Sequence, residues 1–247
     1  MEPSYSTSHH EFRPDEGGLI LVDKPLAWTS FDAVKKIRGA MRSIVRRRNF
    51  KVGHAGTLDP LASGLLIMAY GPFTKQLPMI TGLEKTYTGT ITLGSITPSY
   101  DLETTPVPLG PWEHLDEAAI RGAFGQFHGE VMQRPPIYSA KRFEGERAYW
   151  LARDEDRAHL VDMPPLRVLI SRLEVTAVRG ADIDFEVDVS KGTYIRSLAN
   201  DIGQLLGCGA HLSALRRTAI GPYHVRDADS PLAWAQLIAP LPDRGME

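Results

Sequence analysis

The sequence predicts an α+β fold built around a largely antiparallel sheet. The chain has 247 residues and is 43% hydrophobic, which is enough apolar material to bury a full core. Strand and helix patterns are mixed without the regular alternation that a doubly wound parallel sheet requires. Two neighbouring strand patterns, at 168–178 and 183–189, are close enough in sequence to form a hairpin of antiparallel strands. No internal repeat or linker is visible, so one main domain is expected.

The N-terminal part begins with a polar segment, residues 1–16, that we expect to be a flexible leader. The apolar run from Gly18 to Val22 predicts a buried strand, and Ser30 is expected to begin a helix. Apolar residues recur in that helix at helical spacing, with basic residues on its other faces. The apolar segment from Leu61 to Tyr70 follows Pro60, which suits the first turn of a helix, and a second helix is expected there.

The later elements are dominated by a strictly alternating strand at 183–189. Its apolar residues, including Phe185 and Val187, alternate with acidic ones, so one face belongs to a core and the other to water. The other expected elements are a strand at 86–93, a proline-rich loop at 97–111, a helix at 116–127, a loop at 133–141, the hairpin partner at 168–178, a tight turn at 190–193 and a helix that ends at Gly207.

Composition excludes several classes of protein. The formal net charge of -2 argues against a protein that coats nucleic acid indiscriminately, so any site for a polyanion must be local. The single Cys208 excludes an internal disulfide and a multi-cysteine zinc cluster, which fits a reducing compartment. No segment has the length of a membrane span, and the N-terminus has no apolar run. We therefore expect a cytoplasmic protein.

The most informative motif runs from Gly53 to Gly64 and contains His54 and Asp59 among glycines. Eight Lys or Arg residues lie between Lys35 and Lys51, and no acidic residue occurs from position 33 to 58. A phosphate backbone would supply the missing counter-ions. The arrangement suggests chemistry performed on a polyanion.

Simpler explanations exist for both residues. Asp59 before a proline is a common helix cap, and His54 could be a structural histidine beside a tight turn. A phosphate-cradling loop is excluded because no Gly-Lys-Ser/Thr ending follows, and no spacing of ligands predicts a metal site. The Gly-x-Ser-x-Gly elbow of serine hydrolases is missing too. The candidate that remains from the local sequence is a single carboxylate, that of Asp59.

A carboxylate that acts as a nucleophile needs a fixed cation, because burial alone would favour its protonated form. Arg196 is the candidate, since it begins a helix directly after a tight turn and a buried guanidinium needs a carboxylate. A pairing of Arg196 with Asp201, or with the acidic face of the strand at 183–189, is the alternative.

Several motifs, in order and at compatible spacing, resemble those of the TruB-type tRNA pseudouridine synthases. The similarity covers the chain from about Gly18 to Pro222. The matching stretches are Gly18 to Pro25 with Thr29-Ser30, Gly53 to Gly64, Lys85-Thr86-Tyr87, Pro136 to Lys141, Ser190 to Arg196, and Leu215-Arg216-Arg217. An ordered set of motifs is far more specific than one glycine-rich string.

The resemblance implies a pseudouridine synthase fold, with a bent, mostly antiparallel central sheet flanked by helices. It also implies isomerisation of uridine 55 in the T loop of tRNA, without metal or organic cofactor. Asp59 matches the catalytic aspartate, whose attack on the sugar or on the base stays open. Arg196 matches the arginine that pairs with it, and Tyr87 matches the tyrosine that stacks on the target base and assists proton removal from C5.

The same resemblance assigns RNA-binding residues. His54 matches the histidine that enters the T loop and helps to hold the target base outside the stack. Leu215 is expected to line the uracil pocket. The matched motifs place Lys24, Tyr194 and Lys141 among the substrate-binding residues, and Asp101 lies in a loop that is only loosely like the family's acidic loop. The expected partner is the T stem-loop of tRNA, with no membrane, no protein partner and a monomeric chain.

The expected domains are a leader at 1–16, a catalytic domain at 17–226 and a short tail at 227–247 without a full C-terminal RNA-binding (PUA) domain. Residues 129–165 would be a mobile arm that clamps RNA, although this segment is unusually charged for it. Three alternatives stay open: a non-catalytic RNA-binding protein, an acid/base hydrolase using Asp59 with His54, and the relative that works with guide RNA and partner proteins.

Overall fold

The structure is a computed structural model that describes residues 12–47, 49–139, 142–143, 146–147, 151 and 163–239. Lys141, Arg48 and most of the expected arm between 140 and 162 lie outside the described residues. The chain divides into two compact units, one formed by residues 1–83 with 216–247 and the other by residues 84–215. We call them unit 1 and unit 2.

The elements alternate irregularly between strands and helices, as an α+β fold requires. In chain order they are β1 (Gly18–Lys24), α1 (Ser30–Val45), β2 (Val52–Ala55), β3 (Ala62–Tyr70), α2 (Leu77–Gly82), β4 (Lys85–Leu93), β5 (Ser95–Ile96), β6 (Val107–Pro108), α3 (Glu117–Gly125), β7 (Gly129–Gln133), β8 (Arg142–Phe143), β9 (Glu146–Arg147), β10 (Leu166–Arg179), β11 (Asp182–Val189), α4 (Ile195–Leu206), β12 (Ala210–Ile220), β13 (Tyr223–His224) and α5 (Pro231–Ile238).

Unit 1 is built around β3, which pairs antiparallel with both β1 and β2. Leu66 and Met68 pack in one core cluster with residues of α1, and Leu65 and Ile67 pack in a second cluster with Ile80 of α2. The helix expected at 61–70 is therefore wrong. A strand buried on both faces reads as a continuous apolar run, and its sequence shows no period that separates it from a buried helix.

Helix α1 begins at Ser30 as expected, and its start is fixed by a capping box. The Thr29 hydroxyl accepts a hydrogen bond from the Asp32 N–H, while the Asp32 carboxylate accepts one from the Thr29 N–H. These bonds satisfy two donors at the helix terminus. Residues Val34, Ile37 and Met41 form the buried face that packs on the sheet of unit 1.

Unit 2 contains an antiparallel sheet in the order β4-β11-β10-β7. The hairpin of β10 and β11 confirms the prediction, and Gly180 takes a φ of +64° in its turn. In β11 every apolar residue is buried, and Phe185 packs against Phe124 of α3 with ring centroids 6.4 Å apart. The helices expected at 116–127 and after 193 are confirmed as α3 and α4.

The other face of β11 carries the acidic residues, and basic residues from β10 pair with them. The Arg172 guanidinium bonds Asp188 at 2.7 Å and also Glu186, while Arg179 bonds Asp184. These three acidic residues therefore form ion pairs with arginines of β10 on the face of the sheet opposite the core. Within the described part of the chain, no helix is long and apolar enough to span a membrane.

Candidate active site

Asp59 lies in the loop between β2 and β3, and hydrogen bonds fix the backbone on both sides of it. The buried Ser30 hydroxyl accepts a bond from the Leu58 N–H at 2.8 Å and donates one to the Leu58 carbonyl at 3.1 Å. On the other side, the Pro60 carbonyl accepts a bond from the Ala27 N–H at 2.9 Å. No helix follows Asp59, so a helix cap does not explain this residue.

Arg217 fastens the same loop to β3. Its buried guanidinium donates from Nε to the Leu65 carbonyl at 2.7 Å and from Nη2 to the Gly56 carbonyl at 3.0 Å. The approach requires glycine at position 64, where φ is +105° and a Cβ would lie 2.2 Å from the Arg217 carbonyl oxygen. A fixed positive charge is thus built into the base of the motif.

Lys24, at the end of β1, is a second buried cation in unit 1. Its Nζ donates to the carbonyls of Pro25 at 3.0 Å and Trp28 at 2.6 Å. Burial lowers the pKa of Lys24 to about 8, the negative charge of Asp59 acts to raise it, and the charge of Arg217 acts to lower it further. Lys24 therefore interacts electrostatically with Asp59 and remains mostly protonated at neutral pH.

His54, in β2, is held as a neutral imidazole. Burial lowers the pKa of His54 below its usual 6.5, and the positive charge of Arg217 acts in the same direction, while a hydrogen bond with the Gly56 backbone opposes them. Its Nδ1 is buried and has no hydrogen-bond partner among the described residues. A neutral ring carries one donor nitrogen and one acceptor nitrogen.

Arg196 lies in the first turn of α4 and is 4% exposed. Its guanidinium donates from Nη1 to the Ser99 carbonyl at 3.1 Å and from Nη2 to the Tyr138 carbonyl at 2.9 Å. The carboxylate of Asp101 lies 3.7 Å from its Nε. Unit 2 therefore supplies a carboxylate for Arg196, a role that the sequence alternatives gave to Asp201 or to the acidic strand face.

Asp101 is held in the loop after β5, and it is 5% exposed. Its Oδ1 accepts a bond from the Glu103 N–H at 3.0 Å, and its backbone forms a parallel bridge with Leu212 of β12. The Ser99 hydroxyl donates to the Asp101 carbonyl at 3.1 Å. The loop therefore contacts both strand β12 and the guanidinium of Arg196.

The entry to α4 is fixed by a second buried polar side chain, Gln133. Its Oε1 accepts a bond from the Tyr194 N–H at 2.7 Å, and its Nε2 donates to the Tyr194 carbonyl at 3.0 Å. The Ser197 hydroxyl donates to the Arg134 carbonyl at 2.8 Å. These bonds orient the first turn that carries Arg196.

The remaining described candidates, Tyr87 and Leu215, both belong to unit 2. Tyr87 lies on the buried face of β4, opposite Val187 of β11, and is 7% exposed. Leu215 is half-buried in β12. Unit 1 brings Asp59, Lys24, His54 and Arg217 together, and unit 2 brings Arg196 and Asp101 together. The pairing of Asp59 with Arg196 stays a prediction, and Lys141 lies outside the described residues.

Sequence reasoning missed the residues that hold the loops. Ser30 and Gln133 are named only within motifs or elements, and their bonds reach 28 and 61 residues along the chain. Arg217 gave one signal in the sequence, its place in the matched Leu215-Arg216-Arg217 motif. Among the described residues, no group of three or more His, Cys, Asp or Glu side chains could hold a metal ion.

Two family models match consecutive parts of the chain. The first, "TruB family pseudouridylate synthase (N terminal domain)", matches residues 42–195. The second, "tRNA pseudouridylate synthase B C-terminal domain", matches residues 196–238. Together they include Asp59 and every described candidate residue except Lys24.

Similar proteins and structures agree with these models. A protein of Flavobacterium johnsoniae named tRNA pseudouridine synthase B is 46% identical to this chain, and the match covers 86% of this chain and 92% of that relative. A protein of the same name from Chlorobaculum tepidum is 47% identical, and the match covers 87% of this chain and 88% of that relative. A crystal structure titled "Crystal Structure of a Cbf5-Nop10-Gar1 Complex" matches with a TM-score of 0.62 and 32% identity, over 83% of this chain. The chain spans about half of that matched chain, 49% of its length.

Proposed function

The chain belongs to the TruB family of pseudouridylate synthases, and we propose that it isomerises uridine 55 in the T loop of tRNA. The observation that supports this most is the setting of Asp59. Its backbone is clamped on both sides by Ser30 and Ala27, and its carboxylate interacts with the buried cation Lys24. A nucleophilic carboxylate needs both a fixed position and a charge that keeps it ionised.

The reaction conserves all atoms and needs no oxidant or reductant. The bond from C1′ to N1 breaks, the uracil turns, and a bond from C1′ to C5 forms, while C5 loses a proton and N1 gains one. Asp59 would attack the nucleoside so that the C1′–N1 bond breaks, forming a covalent bond with either the sugar or the base, and this aspartyl bond would break again before the product is released. Arg196 would supply the counter-charge to Asp59, with Asp101 holding the guanidinium in place.

The target base must leave the stack before it can react, which costs a few kcal/mol. His54, which matches the family's histidine that enters the T loop, would compensate part of this cost through its contacts with the RNA. Tyr87 would stack on the flipped uracil, and Leu215 would line its pocket. Tyr87 is held by the apolar face of β4 and so loses little freedom on binding.

The direct test is to incubate the chain with a T-loop stem-loop and with full tRNA, and to map pseudouridine in each. We expect product at uridine 55 and none from the Asp59→Asn variant, which should still bind RNA. Asp227→Asn, an exposed site in unit 1, is the control and should act normally. Full activity of Asp59→Asn, or product at another position, would contradict the proposal.

The rival function is RNA binding without catalysis. Turnover separates the two, because product in excess of enzyme requires an enzyme. The same assay with purified chain alone tests the proposal that neither guide RNA nor a protein partner is needed. Activity that appeared only after such a component was added would overturn that part of the proposal.

A further inference from the structure

His211 is a buried titratable side chain that the proposed chemistry does not use. It lies in strand β12 within unit 2 and is 3% exposed. Its Nδ1 shares a hydrogen bond with the Ser95 hydroxyl at 3.2 Å and lies 3.4 Å from the Ser95 carbonyl oxygen. An unprotonated Nδ1 accepts from the hydroxyl and a protonated one donates to the carbonyl, so either tautomer keeps a bond with Ser95.

Ser95 begins the connection after β4 that carries Asp101. The preceding residue, Gly94, donates its N–H to the Gly209 carbonyl at 2.9 Å, and Ser95 itself bonds the ring of His211. The start of the connection is thus bonded twice to the same end of β12, once through the backbone and once through the imidazole. A segment held by one hydrogen bond can pivot about it, and the second bond prevents this motion.

The residue beside His211 holds a second point of the same connection. The Leu212 N–H donates to the Tyr100 carbonyl at 2.9 Å, and Leu212 forms a parallel bridge with Asp101. Tyr100 has a φ of +63°, a left-handed conformation that is unfavourable for a residue with a side chain and persists only where neighbouring contacts impose it. Displacement of this connection from β12 would therefore release Tyr100 and move the Asp101 carboxylate.

Both contacts that this connection makes with Arg196 depend on its position. The Arg196 guanidinium donates from Nη1 to the Ser99 carbonyl at 3.1 Å, and the Asp101 carboxylate lies 3.7 Å from its Nε. The bond of His211 is made at the start of the same segment, residues 95–101. An effect of His211 on the guanidinium is therefore transmitted through the backbone of this segment.

We propose that His211 is a positioning residue, which through Ser95 holds the segment 95–101 in the place from which it orients the Arg196 guanidinium. The inference rests on the proposed function, in which Arg196 supplies the counter-charge to the catalytic aspartate. Because the side chain of His211 is buried, it offers no surface to the RNA. Loss of its bond should slow the chemical step and leave RNA binding nearly unchanged.

The first test measures single-turnover rates on a T-loop stem-loop at saturating enzyme, and Kd for the same RNA. His211→Leu, which keeps an apolar side chain and removes the bond, should lower the rate by about tenfold or more and change Kd by less than about twofold. His211→Asn, whose amide can accept from the hydroxyl or donate to the carbonyl of Ser95, should restore the rate to within about threefold of wild type. A wild-type rate for His211→Leu would overturn the proposal, as would a rate for His211→Asn as low as that of His211→Leu.

Ser213→Ala is the matched control from the same strand. The Ser213 hydroxyl donates to the Thr90 carbonyl at 3.2 Å and accepts from the Thr92 hydroxyl at 2.9 Å, and both partners lie outside the segment 95–101. His211→Leu and Ser213→Ala should each lower the melting temperature, since each removes a hydrogen bond from the same sheet. Only His211→Leu should lower the rate. Equal losses of rate would show that the rate follows stability, and would overturn the positioning role.

Double variants identify the route from His211 to Arg196. Ser95→Ala should itself slow the chemical step, and in the His211→Leu background it should have little further effect, because the bond is already lost. His211→Leu should likewise reduce the rate of Asp101→Asn much less than it reduces that of wild type. Additive losses in either pair would overturn the proposal, and Ser95→Ala, which changes one hydroxyl group, also tests it if His211→Leu does not fold. Failure of the proposed function would instead appear as wild type that forms no pseudouridine.

Discussion

At the scale of single residues, two buried side chains do the same task in different units. Ser30 bonds both the N–H and the carbonyl of Leu58, directly before Asp59, and Gln133 bonds both groups of Tyr194, two residues before Arg196. A residue whose N–H and carbonyl are both bonded to one side chain cannot rotate about its φ or ψ angle without losing a hydrogen bond. The backbone beside Asp59 and Arg196, the two proposed catalytic residues, is therefore fixed before substrate arrives.

Replacement of Ser30 tests this role. Ser30→Ala leaves the Leu58 peptide without its buried partners, so the free energy of unfolding should fall by about 1–3 kcal/mol. Turnover at saturating RNA should fall at least about tenfold, more than affinity, because the Asp59 loop moves. Ser43→Ala, an exposed serine in the same helix that bonds only the Ala40 carbonyl, is the control. Equal effects of the two variants on turnover would contradict positioning by Ser30.

Lys24 predicts a pH dependence of stability. Its pKa is about 8 in the folded protein and 10.5 when unfolded, so between these values the unfolded chain binds more protons. The contribution of Lys24 to the free energy of unfolding therefore rises with pH across this window, by at most about 3 kcal/mol. Denaturant unfolding of wild type and Lys24→Met at pH 7 and 10.5 isolates it. If the difference in unfolding free energy between the two proteins did not change with pH, the pKa of Lys24 would not be lowered in the folded protein.

Residue patterns could not have revealed these clamps. Asp59, Arg196 and His54 stand out because their chemistry and their motifs are visible locally. Ser30 is visible only as a helix start, and its second role depends on Leu58 meeting it in the folded chain. Lys24 carried no sign that it would be fully buried beside other charges.

At the scale of elements, periodicity decided which predictions succeeded. Strand β11 has water on one face, so its apolar residues alternate and its side-chain directions could be predicted. Helix α1 shows the same contrast at helical spacing. Strand β3 is buried on both faces, and the continuous run from Leu65 to Tyr70 gave no period to read. Its early glycine, Gly64, was the local sign against a helix.

Gly64, the third residue of strand β3, is a position where a substitution should strongly reduce stability. Gly64→Ala would place a Cβ 2.2 Å from a backbone oxygen of Arg217 at a φ of +105°. Neither atom can move freely, so we expect a loss of about 4 kcal/mol or more in unfolding free energy. Gly39→Ala, in α1 with no atom near the new Cβ, should instead stabilise the chain by about 0.5–1 kcal/mol. Thermal unfolding of both variants measures the contrast, and a mild effect of Gly64→Ala would refute the close approach.

At the scale of the whole molecule, the candidate functional residues are divided between two units. Unit 1 contributes a carboxylate among buried cations, and unit 2 contributes a buried guanidinium with its own carboxylate, Asp101. The order of motifs along the sequence was enough to assign both to one family. Local patterns could not predict their separation into units, because the chain returns to unit 1 only after Leu215.

The proposed pairing of Asp59 with Arg196 is best tested by a double-mutant cycle. If the two side chains act together, Asp59→Asn and Arg196→Lys should each abolish most turnover, and the double variant should be little worse than either. A lysine keeps the charge of Arg196 but cannot bond Ser99 and Tyr138 in one plane.

The control is Arg167→Lys, which changes an exposed arginine paired with Glu130. Its effect should combine additively with that of Asp59→Asn. Single-turnover rates on a T-loop stem-loop provide the four values. Additive losses for Asp59 and Arg196 would show that the aspartate draws its counter-charge from elsewhere, with Lys24 as the next cation to test.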